Sequence, residues 1–466
     1  MIVWILVGLA SAAPHREPPP RPQEIQWTEG RRTDLLWVKL QEDSGLQFND
    51  GVVTGQGDLD SLNALIQGAK PLFGRPPEVI RADSRTYDPT GALADLTLWL
   101  QLPAEDGAAL GTRLLREPLV ESVNLAPLPM PPPGDIAPVT PDFTSMQTYL
   151  GPAPDGFGVD IAHKWPGGLG ENVAFADLEY SYEPDHEDLE ASVGALQVGW
   201  DSGAYPSHGN GVLGEVLAGD NGYGVCGMAP GVDLVMVSPY VGIDNYNIAA
   251  AIDDASWVLD EGDVLLIEQQ TWAFDNYAPV EAFSAVFDAI SMAVAKGIVV
   301  VQPTGNGGHD LDAPYWEGWF DREVRDSGAI MVGGGASPFS GLTPRSWYPG
   351  GSSYGGRLDV QGWYDSIATT STDEHGAGMA DLFFPGGDSR QAYTSFFGGT
   401  SGASPQVASV AAIANSVAWE LWGRPWEPMD LRAAMVRTGT PQAPGDTARI
   451  GPQPDLRQLL RTWGVR

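Results

Sequence analysis

The chain has 466 residues, of which 60 are acidic and 25 are basic, so its formal net charge at pH 7 is −35. A surface this acidic repels nucleic acid and anionic membranes, which disfavours both as partners. The hydrophobic content of 43% is that of a folded protein, with room for one large domain and a smaller one. The single cysteine, Cys226, excludes an intramolecular disulfide, and we interpret it as a small buried apolar residue.

The first stretch, MIVWILVGLASAAP, is an apolar run that ends in an Ala-x-Ala pattern. This pattern is typical of a signal peptide, here over residues 1–13, although the usual Lys or Arg before the run is missing. The run is too short to span a membrane. We therefore expect the protein to be secreted, either to the extracellular space or to a periplasm.

A small domain is predicted over residues 23–127, after a Pro-rich spacer at 14–22. Strand patterns at 35–40, 78–82, 96–102 and 120–125 alternate with helix patterns at 59–69 and 106–117. The order β-α-β-β-α-β predicts a small α+β domain of the ferredoxin-like type. Residues 128–142 should form an extended linker, because their prolines are excluded from helix interiors and central strands.

A second, larger domain is predicted over residues 143–466. Its continuous apolar runs of strand length lie at 173–179, 232–239, 263–270 and 297–306, with helix patterns between them. Such runs are typical of parallel strands that are buried on both faces. We therefore predict an α/β domain with a doubly wound, mostly parallel sheet, whose ligands bind beyond the carboxyl ends of the strands. The last helical patterns belong to the same domain, so we expect no further C-terminal module.

Four side chains suited to acyl transfer lie at the ends of these predicted elements. Asp177 and Asn306 lie near the ends of two strands, whereas His208 and Ser401 open two helices. A serine nucleophile needs a base such as histidine, and a buried carboxylate fixes the tautomer of that histidine. An asparagine amide can stabilise the oxyanion that develops. Taken singly, each residue could equally be a helix cap, a structural histidine or a turn residue.

The four segments around these residues resemble, in the same chain order, the motifs of the subtilisin-like serine peptidases, or subtilases. The segments read VAFADLEYSYEPDHEDL, SHGNGVLGEVLAGDNGYGVCGMAP, VVVQPTGNGG and GGTSGASPQVAS. The resemblance implies a serine endopeptidase in which Asp177 orients His208, His208 acts as base and then as acid, and Ser401 attacks. It also implies that Asn306 stabilises the oxyanion together with the backbone N–H of Ser401.

The chain departs from the family pattern at Ile267-Glu268-Gln269-Gln270, where the family usually has Ser-Leu-Gly after the strand. In the family this stretch lines the side-chain pockets, so we assign Glu268, Gln269 and Gln270, together with Gly305, to substrate binding. Two interpretations of Glu268 remain open. It belongs to a hydrogen-bond network, or it changes the preference for the residue before the scissile bond toward basic or polar side chains.

Many subtilases hold a calcium ion on the loop that follows the catalytic histidine. The resemblance implies ligands from Asp188, the Asn221 side chain and the carbonyls of Gly219, Tyr223 and Val225. Oxygen ligands of this kind suit Ca²⁺, although acidic Gly-rich loops are also common without a metal. Structural calcium is therefore the one cofactor that we expect.

The small domain has the fold order and the position of the inhibitory propeptide of subtilases. We expect it to assist folding, to inhibit the enzyme and to be removed by Ser401 at a site within 126–142; a structural appendage is the alternative. The expected partners are a peptide or protein substrate and this propeptide, and the enzyme is expected to be a monomer. Two other functions stay open: a non-catalytic peptide-binding scaffold, and a narrow-specificity processing protease or esterase.

Overall fold

A computed structural model describes residues 21–26, 31–42, 44–49, 51–87, 94–127, 135–372, 380–462 and 464. The chain divides into two compact units, Met1–Pro132 and Pro133–Arg466, and this division falls within the stretch predicted as a linker. The predicted signal peptide lies outside the described residues. In the described part of the chain, no helix is long and apolar enough to cross a membrane.

The first unit is built on a four-stranded antiparallel sheet. Its elements are β1 (Arg31–Leu40), β2 (Gln47–Asn49), β3 (Val52–Thr54), α1 (Leu59–Leu65), β4 (Lys70–Pro71), α2 (Pro77–Tyr87), β5 (Trp99–Pro103), α3 (Gly107–Leu114) and β6 (Val120–Pro127). The strand order is β4-β5-β1-β6. Leu36, Val38 and Leu40 of β1 are fully buried. This spacing of two residues is that of a strand with one face on the core.

The strand predicted at 78–82 is wrong, because these residues lie in helix α2. Pro77 occupies the first position of this helix, where its missing N–H is not needed and its fixed φ suits the helix. The adjacent Val79 and Ile80 suggested a buried strand, yet only Ile80 is buried and Val79 is exposed. Of the two apolar residues, the helix therefore packs Ile80 against the core and leaves Val79 in solvent.

The second unit is an α/β unit with a seven-stranded parallel sheet. Its helices are α4 (Val159–Ala162), α5 (Pro206–Leu217), α6 (Ile248–Val258), α7 (Ser284–Ala295), α8 (Thr400–Trp422), α9 (Pro428–Thr438) and α10 (Leu456–Arg461). Its strands are β7 (Ala174–Leu178), β8 (Leu196–Val198), β9 (Asp233–Val237), β10 (Val264–Ile267), β11 (Gln270–Ala273), β12 (Asn276–Pro279), β13 (Val299–Pro303), β14 (Ile330–Gly335), β15 (Val360–Trp363), β16 (Ile367–Thr370) and β17 (Tyr393–Phe397). The parallel sheet has the order β15-β14-β13-β10-β7-β9-β8, while β11–β12 and β16–β17 form separate antiparallel pairs.

Both faces of this parallel sheet are covered by helices. Along β10, Leu265 packs into a core with residues of α6 and α7, whereas Leu266 packs into a second core with residues of α5 and α8. Successive strand residues therefore alternate between two apolar layers, which explains the continuous apolar runs in the sequence. The arrangement confirms the predicted doubly wound α/β fold.

Candidate active site

Ser401 is the second residue of α8 and lies between two close-packed glycines. Gly399 precedes the helix with φ of +81°, and a Cβ there would lie 3.2 Å from the Asn306 amide oxygen. A Cβ on Gly402 would lie 2.4 Å from the terminal methyl of Ile367. Larger residues would push Ser401 away from its neighbours. The position at a helix start also surrounds the serine with free N–H groups and a partial positive charge.

His208 lies in the first turn of α5 and is held by a carboxylate. Its Nδ1 forms a hydrogen bond with Oε2 of Glu179, whose other oxygen accepts the backbone N–H of Tyr180 at 2.7 Å. Glu179 is buried, whereas about a third of the His208 side chain (34%) is exposed. Burial lowers the pKa of His208, but the charge and the hydrogen bond of Glu179 outweigh it, so the pKa is raised above its ordinary value.

The partner of His208 is therefore Glu179 and not Asp177, which corrects the sequence prediction. Asp177 lies inside β7, level with Met236 of β9 and Leu266 of β10. Its side chain is fully buried, and neither carboxyl oxygen has a hydrogen-bond partner among the described residues. Burial first, and then the charge of Glu179, raise the pKa of Asp177 well above its usual range.

The sequence did carry a signal for Glu179. The apolar run VAFADL ends at Leu178, so Glu179 is the first residue beyond the strand, whereas Asp177 is still within it. Ligands and catalytic groups of a doubly wound sheet lie beyond the strand ends. A carboxylate after the run was therefore the better candidate than one inside it.

Asn306 is fixed against the start of α8. Its side-chain oxygen accepts the backbone N–H of Thr400 at 2.8 Å, which leaves the amide NH₂ as the donor end. Its own backbone N–H donates to the side-chain oxygen of Gln270 at 2.9 Å. The structure thus brings Asn306 next to the residue that precedes Ser401.

A cavity of about 370 Å³ lies between His208 and Ser401. It is lined by Tyr180, Tyr205, His208, Glu268, Gln269, Gln270, Tyr277, Pro303, Thr400 and Ser401. The three predicted substrate-binding residues Glu268, Gln269 and Gln270 are all part of its wall. Gly305 is not: it is buried, and a Cβ there would lie 3.1 Å from the backbone of Ala278.

Glu268 is the unusual member of the wall. It is only 5% exposed, and its Oε1 lies 2.8 Å from the hydroxyl of Ser404. Burial, followed by the charges of Asp177 and Glu179, raises the pKa of Glu268 well above its usual range, while hydrogen bonds with Ser404 and Ser401 oppose the shift. Glu268 is thus part of a hydrogen-bond network, while its effect on the residue preferred before the scissile bond stays a prediction.

The five residues of the predicted calcium site are close together, and hydrogen bonds link them to one another. One carboxyl oxygen of Asp188 accepts the backbone N–H of Val225, and the other accepts the amide NH₂ of Asn221, each at 2.7 Å. The backbone N–H of Gly219 donates to the carbonyl of Asp188, and that of Tyr223 donates to the Asn221 side chain. Both carboxyl oxygens of Asp188 are thus hydrogen-bonded within the loop, and a calcium ion at this place stays a prediction from the resemblance. The described residues also hold no cluster of three or more His, Cys, Asp or Glu side chains that could bind a metal.

Comparison with known proteins places the chain in a family. The model of the subtilase family matches residues 170–452, which is more than half of the chain and includes every residue of the cavity wall. The chain belongs to the subtilase family. The resemblance seen in the sequence motifs is thereby confirmed.

Known subtilases share a moderate identity with this chain over part of their length. Subtilisin DY of Bacillus licheniformis is 31% identical over 144 residues, which cover 30% of this chain and 49% of the relative. Fervidolysin of Fervidobacterium pennivorans is 27% identical over 202 residues, covering 39% of this chain and 27% of the relative. The chain thus matches between about a quarter and a half of the length of these two subtilases. The crystal structure of fervidolysin aligns with a TM-score of 0.46 at 16% identity, over 97% of this chain and 64% of that structure.

Proposed function

We propose that the second unit is a serine endopeptidase whose catalytic residues are Ser401, His208 and Glu179. The observation that carries the proposal is the hydrogen bond between Glu179 and His208 in the wall of the cavity that also contains Ser401. A carboxylate on one ring nitrogen fixes the tautomer and orientation of the imidazole. The other nitrogen, Nε2, is then the one that accepts the Ser401 proton.

The reaction proposed is acyl transfer to serine followed by hydrolysis. The Ser401 oxygen attacks the peptide carbonyl while His208 takes its proton, and the resulting imidazolium is stabilised by Glu179. The oxyanion accepts hydrogen bonds from the Asn306 amide and the Ser401 backbone N–H. His208 then returns the proton to the leaving amine. A water molecule, activated by the same imidazole, hydrolyses the acyl-enzyme.

We also propose that the chain is a secreted zymogen and that the first unit is its propeptide. The support comes from the signal-like residues 1–13, from the Pro-rich stretch 128–142, and from the compact α+β unit that precedes the catalytic one. Cleavage by Ser401 within 126–142 would release the active enzyme. The substrates are peptides or proteins, and the active form is a monomer.

The test compares the full-length chain with its Ser401→Ala variant by fluorophosphonate labelling and intact mass. We expect the parent to label at Ser401 and to lose its first 126–142 residues, and the variant to do neither. Ser284→Ala is the matched control, because Ser284 is an exposed serine that also opens a helix, α7. It should label and mature like the parent.

Three results would contradict the proposal in different ways. A folded parent that does not label would favour the non-catalytic peptide-binding scaffold. Labelling without any loss of mass would contradict the proposal that the chain is a zymogen that processes itself. Cleavage of only a few members of a mixed peptide library by the labelled parent would favour a narrow processing protease over a broad endopeptidase.

A further inference from the structure

We propose that Glu268 is a positioning residue that acts as a neutral carboxylic acid beside Ser401 and that, once ionised, competes with His208 for the Ser401 proton. The inference rests on the proposed peptidase function and assigns to Glu268 a role in controlling the nucleophile. It predicts that alkaline pH switches the nucleophile off.

The position of Glu268 is fixed by the sheet. Its backbone N–H donates to the carbonyl of Leu178 at 3.1 Å, so it lies next to Glu179 at the ends of β10 and β7. Its side chain lines the same cavity as His208 and Ser401 and is almost completely buried. The carboxyl group is therefore shielded from solvent but adjacent to the reacting atoms.

The hydrogen bonds of Ser404 are compatible with a proton on Glu268. The hydroxyl of Ser404 lies 2.6 Å from the carbonyl oxygen of Thr400 and 2.8 Å from Oε1 of Glu268. A hydroxyl has a single proton, and the carbonyl can only accept. In the structure the Ser404 hydroxyl is the donor toward both oxygens, so its one proton is shared between them, and a proton on the Glu268 carboxyl would leave Ser404 free to donate to the closer Thr400 oxygen. The other oxygen of Glu268, Oε2, has no partner among the described residues and is a free acceptor.

The surrounding charges favour the same state. Asp177 and Glu179, which come from β7 and its end, both disfavour a negative charge on Glu268. Helix α5 contributes His208 to the site, and the imidazole of His208 is hydrogen-bonded to Glu179. Helix α8 contributes the hydroxyls of Ser401 and Ser404, which are neutral groups. The Glu268 carboxyl is therefore neutralised by a proton and not by a neighbouring cation.

Ionisation of Glu268 would change the competition for the Ser401 proton. A neutral carboxyl oxygen is a weak acceptor, and His208 can take the proton from Ser401. A carboxylate is an acceptor of about twice the strength, and it would hold the Ser401 hydroxyl away from His208. Its negative charge would also oppose the oxyanion that forms nearby. Both effects reduce the reactivity of Ser401.

The experiment measures the rate of fluorophosphonate labelling of Ser401 against pH for the parent and for Glu268→Gln. Glutamine keeps the shape, donates its NH₂ to Ser404 and cannot ionise. We expect the parent rate to rise as His208 loses its proton and then to fall in alkaline solution by about tenfold per pH unit, as for a single ionising group. The Gln variant should show the same acid limb as the parent and should not fall in alkaline solution.

Glu261→Gln is the matched control, because Glu261 is an exposed glutamate just before the other end of β10. It should show the parent profile, including the alkaline fall. A Gln variant that folds but loses labelling at every pH would overturn the inference, since it would mean that the charge is required. An unchanged alkaline fall in the variant, or no fall in the parent, would overturn it as well. A parent that labels at no pH would instead refute the proposed function.

Discussion

The carboxylate that holds His208 is a glutamate whose longer side chain starts beyond the strand end. Both of its oxygens are used, one by the imidazole and the other by the backbone N–H of Tyr180. This double anchoring restricts the additional torsion that glutamate has compared with aspartate. The position of the imidazole therefore depends on the length and on the charge of residue 179.

Glu179→Gln tests the charge. The substitution removes the negative charge that raises the pKa of His208 and leaves burial, which lowers it. The acid limb of kcat/KM, which reports the deprotonation of His208, should therefore move to lower pH. The maximal rate should fall by roughly 10³–10⁴, as expected when the tautomer is no longer fixed. The acid limb and the maximal rate are both measured from the pH dependence of cleavage of any peptide that the parent cleaves.

Asp177→Asn is the comparison for this prediction. Asp177 is buried in the strand and contacts neither ring nitrogen of His208 through a hydrogen bond, so its variant should keep most of the parent activity. Equal losses in the two variants would mean that Asp177, as the sequence first suggested, has the catalytic role.

A site residue can be predicted from the sequence where a single residue type is able to perform its chemical role. The structure brings Ser401, His208 and Asn306 close together, as the sequence predicts, and their catalytic roles stay predictions. The carboxylate partner of His208 was predicted wrongly, because Asp177 inside the strand and Glu179 just beyond it are two residues apart, and either residue type can orient a histidine. Only the exact end of the strand separates them, and strand ends are the least certain part of a sequence pattern.

At the scale of elements, the helix that contains His208 is packed unusually closely against the β16–β17 pair. The hydroxyls of Thr369 and Thr370 donate to the carbonyls of Gly211 and Asn210 at 2.7 and 2.6 Å. This approach is possible because α5 has glycine at the contact. A Cβ on Gly214 would lie 2.3 Å from the Thr369 hydroxyl oxygen.

Gly214→Ala should therefore destabilise the protein and reduce its activity. In an exposed helix the change would stabilise by about 1 kcal/mol, so a loss of stability measures the clash with β16. The unfolding temperature should drop by several degrees, and kcat should fall because α5 carries His208. Gly242→Ala is the matched control, since a Cβ there meets nothing within 4 Å. An unchanged unfolding temperature for Gly214→Ala would contradict the packing described.

Elements were predictable where hydrophobic pattern and length agreed. The runs at 173–179, 232–239 and 297–306 contain β7, β9 and β13, because strands that are buried on both faces have continuous apolar sequences. The run at 263–270 was read as one strand, yet β10 ends at Ile267 and β11 begins at Gln270. The polar residues between them belong to the cavity wall. Their arrangement depends on contacts with α8 that no local pattern contains.

The whole molecule is acidic inside as well as outside. Burial raises the pKa of Asp188 to about 7, and it raises those of Asp177, Glu215 and Glu268 well above the usual range. The folded state thus binds more protons at these groups than the unfolded state. Their stabilising contribution is complete below the unfolded pKa and is lost as pH rises through the folded pKa. His186 acts in the opposite sense, but only below pH 6.5, since burial lowers its pKa to about 4.

We therefore expect the unfolding temperature to fall as the pH rises from 6.5 through the pKa of Asp188 at about 7, and to fall further as the other three buried carboxyls lose their protons. The Ser401→Ala variant is the protein to melt, because it cannot digest itself. Repeating the series in about 1 M NaCl separates the buried groups from the surface, since exposed charges are then screened beyond about 3 Å. The slope should persist in salt. A slope that disappears would assign the effect to repulsion among the surface charges.

Gln270 has a consequence for attempts to change which peptides this subtilase accepts. Its side chain is part of the cavity wall and also holds the backbone of Asn306. A substitution that enlarges the wall or changes its charge at this position also removes the hydrogen bond that holds Asn306, the residue proposed to stabilise the oxyanion. Selectivity and turnover are thus coupled through one amide. A library that varies residue 270 should yield mostly slow enzymes, and altered preferences without loss of rate should come from Tyr180 and Tyr205, which also line the cavity.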